Sequence, residues 1–195
     1  MIRVRDVGCR LRAAALTAGV MVFAMAAFPG AAAAQTAPDT STATPPAAKR
    51  PCTAPEFHQF DFWIGTWEVR TPDGKVAGTN RIEPILDGCV LQESWRGARG
   101  LRGTSLNTYV PSTKRWQQTW MDQQGTLLLL DGELQGGSMV LQGESPSSQK
   151  PGVVTQQRIT WTPASDGTVR QLWEASEDKG KSWTTVFDGR YSRLR

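Results

Sequence analysis

Histidine is nearly absent from this chain, in which His58 is the one example among 195 residues. Metal sites built from several histidines are therefore excluded, and Ser-His-Asp catalysis has a single candidate base. Cysteine is also scarce, with three residues, none of them in a Cys-x-x-Cys spacing. The sequence has neither a Gly-rich phosphate loop nor an acidic cluster with calcium spacing. We therefore predict a protein that uses no metal and no cofactor.

Most of the chain has no excess of positive or negative charge. The formal net charge is +4, but Arg3, Arg5, Arg10 and Arg12 supply it near the N-terminus. From Cys52 onward there are 16 basic and 16 acidic residues. A neutral body without a Lys/Arg-rich run lacks the electrostatic footprint of a nucleic-acid-binding protein. We predict no nucleic-acid partner.

The first 34 residues have the order of a secretory signal peptide. A basic region precedes an apolar run at 13–28, and the small residues at 31–34 form an Ala-x-Ala site. We predict cleavage after position 34, which leaves no membrane anchor; the alternative is an uncleaved anchor, which needs about 20 apolar residues. Residues 35–51 are rich in Pro, Ala and Thr, so we predict a disordered linker before a domain at 52–195. The predicted location is the periplasm or the exterior of the cell.

Two cysteines, Cys52 and Cys89, remain after the predicted cleavage. In an oxidising compartment an even pair predicts one disulfide. Such a bond would close a loop of about 38 residues and stabilise the fold by roughly 3 to 4 kcal/mol. It would join the start of the domain to a turn at Asp87-Gly88. Two buried free thiols are the alternative.

Short runs of alternating apolar and polar residues fill the chain after position 60. Turn residues separate them about every eight to twelve positions, which is typical of antiparallel sandwiches and barrels. The predicted strands are residues 62–70, 76–86, 89–96, 103–110, 115–121, 126–134, 138–141, 154–163, 168–175 and 183–194. Residues 142–152 are interpreted as a long loop. We predict an all-β fold, an antiparallel up-and-down barrel of about ten strands.

The first predicted strand carries a family resemblance. It reads FDFWIGTWEVR, and its Gly65-x-Trp67 resembles the opening strand of lipocalins and the wider calycin barrels. With GCVLQESW, SLNTY, RWQQTWMD and FDGRYSRL, most of 52–195 resembles uncharacterised secreted bacterial proteins of the DUF1579-like, lipocalin-like kind. The resemblance implies that Trp67 closes one barrel end and that Arg190 or Arg193 packs over it. Haem-binding barrels of the nitrobindin type use a late His, whereas His58 precedes the first strand, so no haem is implied.

Residues 176–183 match the Asp-box pattern S-x-D-x-G-x-S/T-W. We predict a structural turn in which Asp178 accepts backbone N–H bonds, Gly180 takes a positive φ and Trp183 packs beneath. Sialidases carry several copies of this motif on propeller blades. One copy in a chain too short for a propeller does not indicate a glycosidase.

The chain contains eight tryptophans, an unusually high number for this residue type, and all of them lie between Trp63 and Trp183. Because side chains alternate across a strand, we take the face that carries the tryptophans as the barrel interior. The candidate ligand-binding residues on this face are Glu93, Trp95, Asn107, Tyr109, Trp116, Gln118, Trp120, Gln171 and Trp173. The same face is predicted to hold Cys89, Leu91, Ser105, Gln157, Ile159, Trp161, Val169, Ala175, Trp183, Thr185, Phe187 and Tyr191.

Polar residues among these aromatics allow two interpretations of the lumen. Four of them, Glu93, Asn107, Gln118 and Gln171, need partners, since an unpaired buried polar group costs on the order of 1–3 kcal/mol. They form either an internal hydrogen-bond network or the polar points of a ligand pocket with aromatic walls. The two are compatible if the network lines one end only.

Three functions follow from these interpretations. The first is non-catalytic binding of a small amphipathic molecule in the lumen. The second is a barrel enzyme in which Glu93 acts as general acid or base, with Asp122, at a predicted turn, as the one tempting second carboxylate. The third is an interaction or stress module that uses its outer face. The sequence does not determine the oligomeric state.

Overall fold

A computed structural model describes residues 51–147 and 150–194 of the chain. The predicted signal peptide and nearly all of the predicted linker lie outside these described residues. The strands are β1 (Gly65–Arg70), β2 (Val76–Ile85), β3 (Val90–Gly97), β4 (Arg102–Val110), β5 (Arg115–Asp122), β6 (Leu127–Gln135), β7 (Ser138–Pro146), β8 (Val154–Pro163), β9 (Val169–Ser176) and β10 (Thr184–Arg193). Short 3-10 turns span Pro55–His58, Asp61–Trp63 and Leu86–Gly88.

The ten strands form one closed antiparallel barrel in which each strand pairs with the next in sequence, and β1 pairs with β10. The predicted fold class is confirmed. Alternation explains it, because successive side chains of a strand point to opposite faces, and most of the aromatic residues share the face that lines the lumen. Within the described ranges, no helix is both long and apolar enough to span a bilayer.

Two predicted boundaries are wrong. Residues 62 and 63 belong to a 3-10 turn and not to the first strand. The predicted loop at 142–152 is partly strand, since β7 continues to Pro146 and pairs with β8 through Gly143↔Gln157 and Ser145↔Thr155. The polar composition of residues 142–146 gave no strand signal. Backbone pairing with the long β8 holds this segment extended although it has no large apolar side chains.

One end of the barrel is closed by the residues that precede β1, Pro55–Trp63, which we call the plug segment. Phe60 and Trp63 are fully buried and stack with ring centroids 4.9 Å apart. Phe60 also meets the ring of Trp116 edge-on at 5.6 Å and that of Trp161 at 5.2 Å. All four rings are at most 1% exposed, so they fill the lumen at this closed end.

Arg193 seals the closed end over Trp67. The two residues are opposite each other in the β1–β10 register, and the guanidinium lies 4.4 Å from the indole centroid. Arg193 Nη1 also donates to the carbonyl of Ile64 at 3.0 Å. The role proposed for Arg190 is wrong, because its neighbour Tyr191 faces the lumen and alternation sends Arg190 outward to Asp166 at 2.6 Å.

The predicted disulfide between Cys52 and Cys89 is confirmed, with Cα atoms 5.1 Å apart. Cys89 follows the Leu86–Gly88 turn that joins β2 to β3. The bond therefore ties the start of the plug segment to the closed end of the barrel. A disulfide is a feature of oxidising, exported environments.

The Asp-box forms the turn between β9 and β10 at the opposite end. Asp178 Oδ1 accepts the backbone N–H of Ser182 at 2.9 Å, and the Ser182 hydroxyl donates to Oδ2 at 2.6 Å. Gly180 has φ +80°, and its carbonyl accepts the Trp183 indole N–H at 3.1 Å. These bonds give the motif the structural role predicted for it.

The prediction that Trp183 faces the lumen is wrong, whereas Thr185 still lines the open part of the lumen. A register shift between Thr185 and Phe187 in β10 interrupts the alternation on its N-terminal side. Thr185 pairs with Glu174, and the Trp183 ring lies 4.0 Å from the guanidinium carbon of Arg158 on the outer face.

Candidate functional site

A cavity of about 940 Å³ occupies the end of the lumen opposite the plug segment. Residues of the β1–β2 and β3–β4 connections and of the first part of β10 border its opening. Its walls and floor are formed by Ala77, Glu93, Trp95, Gln118, Trp120, Leu128, Ile159, Gln171, Trp173, Phe187 and Tyr191. A pocket with apolar walls and a few polar groups is the usual form of a small-molecule site.

Glycines make room for the aromatic walls. A Cβ on Gly103 would lie 2.3 Å from the Trp120 ring, and a Cβ on Gly189 would lie 2.6 Å from the Phe187 ring. Each ring therefore packs directly against a glycine. A larger residue in place of that glycine would push the ring away from its present position. The shape of the open end depends on these small residues as much as on the aromatics.

A chain of hydrogen bonds crosses the barrel below the cavity. Asn80 Nδ2 donates to Glu93 Oε1 at 2.7 Å, and the Ser105 hydroxyl donates to Oε2 at 2.6 Å. Asn107 Nδ2 donates to the Ser105 hydroxyl at 2.9 Å, and its Oδ1 accepts Gln118 Nε2 at 2.8 Å. All five residues are buried. Glu93 and Gln118 are the members that reach the cavity.

Tyr191 extends this network toward β9. Its hydroxyl accepts Asn80 Nδ2 at 3.2 Å and donates to Gln171 Oε1. No atom of the described residues hydrogen-bonds Gln118 Oε1 or Gln171 Nε2, and both residues line the cavity. The floor therefore offers one free acceptor and one free donor to a ligand.

Burial perturbs the two titratable groups of the floor. Desolvation raises the pKa of the Glu93 carboxyl above its ordinary value of 4.5, and the hydrogen bonds from Ser105 and Asn80 offset this only in part. The pKa of the Tyr191 hydroxyl is raised well above 10.0, first by burial and then by the charge of Glu93. Both groups thus favour the neutral form.

The mouth of the cavity carries charges of both signs. Asp73 pairs with Lys75 at 2.6 Å, and Asp188 pairs with the outward Arg170 at 2.7 Å. Arg99, in the β3–β4 connection, is exposed and makes no ion pair with any described residue. The charges at the mouth are solvated, whereas Glu93 is 4% exposed.

The structure brings six of the nine predicted ligand-binding residues together in the cavity. These are Glu93, Trp95, Gln118, Trp120, Gln171 and Trp173. Asn107, Tyr109 and Trp116 share the inward face but do not line the cavity. Asn107 is enclosed by the network, while Tyr109 and Trp116 lie at the closed end, with Tyr109 against Phe57 and Trp116 against Phe60. Alternation gives the face of a residue and not its depth along the barrel.

Sequence reasoning missed Asn80 and the plug segment. Asn80 lies on the inward face of β2 with Gly78 and Ile82. Strand alternation along β2 could therefore have predicted its inward position. Its Oδ1 has no hydrogen-bond partner among the described residues. The same holds for the indole nitrogens of Trp63 and Trp161.

Two further observations limit the chemistry of the site. The Asp122 carboxylate caps the β5–β6 turn by accepting the backbone N–H groups of Gln124 at 2.8 Å and Thr126 at 3.1 Å, and it does not line the cavity. Within 51–147 and 150–194, no cluster of three His, Cys, Asp or Glu side chains has the geometry to hold a metal ion.

A scan against protein-family models finds no match for this chain. A search of curated proteins likewise finds no match.

Proposed function

We propose that this protein is an exported, lipocalin-like barrel that binds a small amphipathic molecule in the open end of its lumen. The observation that carries the proposal is the cavity of about 940 Å³ between Trp95, Trp120 and Trp173. Its walls between the charged mouth and the polar floor are apolar, so an apolar body would pack on the walls while a polar group reaches Gln118 and Gln171. The Cys52–Cys89 bond supports action in the periplasm or outside the cell.

Native mass spectrometry of protein purified gently from an oxidising compartment tests the proposal directly. We expect a retained mass in the wild type and its loss in Trp120→Ala, which removes a cavity wall. Trp183→Ala is the matched control, because Trp183 is a tryptophan of the same barrel that lies on the outer face. Equal retention in the two variants, or no bound mass and no titratable ligand in the wild type, would contradict binding in the lumen.

The alternatives of catalysis and of an outer-face interaction stay predictions. For catalysis, Glu93 has a raised pKa, but the other cavity carboxylates, Asp73 and Asp188, lie at the mouth in ion pairs. For interaction, Leu106 and Leu129 lie exposed in one row across β4–β6. Neither feature defines a reaction or a partner, whereas the cavity defines a volume and a surface chemistry.

A further inference from the structure

Glu93 is a buried carboxyl group without a positively charged partner. Its hydrogen bonds come from the neutral side chains of Asn80 and Ser105, and no described lysine, arginine or histidine forms an ion pair with it. A buried acid normally pairs with a cation or is replaced by an apolar residue, because burying an isolated charge is costly. Here the carboxyl group lines a cavity large enough to admit a ligand that supplies the missing charge.

The walls above Glu93 favour the same kind of ligand. Trp95, Trp120, Trp173 and Phe187 surround the space, and the rings of Trp95 and Phe187 meet edge-on at 6.1 Å. The faces of aromatic rings attract cations, and indole does so most strongly. Cages of such rings beside a carboxylate are a general solution for binding organic ammonium groups.

We propose that the cavity accepts an organic cation, with its ammonium group beside Glu93 and Gln118 and its apolar body between the tryptophans. The proposal rests on the proposed function, because it names the class of ligand for the same cavity. Gln118 Oε1, which has no described partner, adds a neutral acceptor for an ammonium N–H. An anionic ligand would hold Glu93 in its neutral form, because two negative charges side by side in a region of low dielectric are strongly unfavourable, and it would gain no ion pair. A neutral ligand would likewise leave the carboxyl protonated and gain no ion pair.

Binding of a cation couples to the protonation of Glu93. The groups that face this carboxyl are Asn80 on β2, Ser105 on β4 and Tyr191 on β10, and Tyr191 stays neutral because its pKa is raised. The charged groups of the mouth are Asp73, Lys75, Arg99 and Asp188. An arriving ammonium favours the carboxylate, so the carboxyl proton leaves to the buffer on binding. Affinity for a cation should therefore rise with pH through the titration of Glu93.

The test compares three polar head groups on one apolar body: phenylbutylammonium, phenylbutanol and phenylbutanoate. Isothermal titration and tryptophan fluorescence measure the affinity of the wild-type protein for each compound. We expect the ammonium to bind about tenfold more tightly than the alcohol, and the butanoate to bind most weakly. The preference for the ammonium should grow as the pH rises above 4.5, the ordinary pKa of a glutamate carboxyl, while the affinity for the alcohol stays constant.

Glu93→Gln separates the charge of the group from its shape. We expect this variant to keep its affinity for the alcohol and to lose the preference for the ammonium together with its pH dependence. Glu144→Gln is the matched control, because Glu144 is exposed on the outer face of β7 and should behave as wild type. A thermal unfolding curve of each variant confirms that the barrel is intact.

The outcomes distinguish the two proposals. Equal affinity for all three compounds leaves lumen binding standing and overturns the cation preference. Tighter binding of the butanoate, or a preference for the ammonium that survives in Glu93→Gln, also overturns it. If none of the three binds and native mass spectrometry finds no retained ligand, the binding function itself fails and the inference fails with it.

Discussion

The closed and open ends of this barrel are lined by the same kinds of residue. At the closed end Phe60, Trp63 and Trp161 pack on one another and exclude solvent. At the open end Trp95 and Trp120 lie on the same alternating face of the sheet, yet they border a cavity. The strands are therefore not what makes one end solid and the other hollow.

The difference comes from what lies outside the strands. The plug segment inserts the fully buried rings of Phe60 and Trp63 at the closed end, and the Cys52–Cys89 bond holds the chain there. At the open end the connections carry polar residues such as Asp73 and Asp178, whose hydrogen bonds satisfy their own turns. An up-and-down barrel is thus left hollow wherever no segment of the chain fills it.

The largest expected effect contrasts one tryptophan from each end. Trp63→Ala should lower the free energy of unfolding by about 3 to 5 kcal/mol, because it empties a fully packed site. Trp120→Ala should cost about 1 kcal/mol or less, because its ring borders space that is already empty. Urea denaturation measures both values. Similar losses in the two variants would show that the open end is packed as tightly as the plug.

Removal of the disulfide should weaken the closed end most. The double variant Cys52→Ala/Cys89→Ala should lose about 3 kcal/mol of stability, since the loop between the two cysteines gains conformational freedom in the unfolded state. Hydrogen exchange should increase most in the plug segment and at the start of β3, while the amides around the cavity lose only the protection that follows from the lower global stability. An equal loss of protection at the two ends would contradict a local role of the bond at the closed end.

The smallest effect concerns Glu93, which lies at the boundary between the ends. Burial raises the pKa of this carboxyl in the folded protein above its ordinary 4.5, so the folded state binds more protons than the unfolded state as pH rises from that value. Wild-type stability should therefore fall with increasing pH in that range, by at most about 1.4 kcal/mol per pH unit. In Glu93→Gln this fall should vanish. A wild-type curve parallel to that of the variant would show that the carboxyl titrates normally.

Alternation predicted the barrel and the inward position of Glu93 and Gln118, since a period of two is a local signal. The disulfide was predicted from the even cysteine pair that remains after the predicted signal cleavage. The position of a residue along the barrel axis could not be predicted from alternation. Trp116 and Trp120 lie on one face of β5, yet one packs in the plug and the other lines the cavity. The register shift before Phe187 was also hidden, because no residue type marks it. It leaves Trp183 on the outer face of the barrel.

The strand order has a consequence for how the protein matures. Every pairing joins neighbours in the chain except the one between β1 and β10, which closes the ring. That last strand brings Arg193 to Trp67 and Tyr191 to Asn80, so it completes both the seal of the closed end and the floor of the cavity. Contacts between such distant segments form late in folding. A chain in which β10 has not yet paired with β1 therefore has no complete lumen and no finished cavity floor.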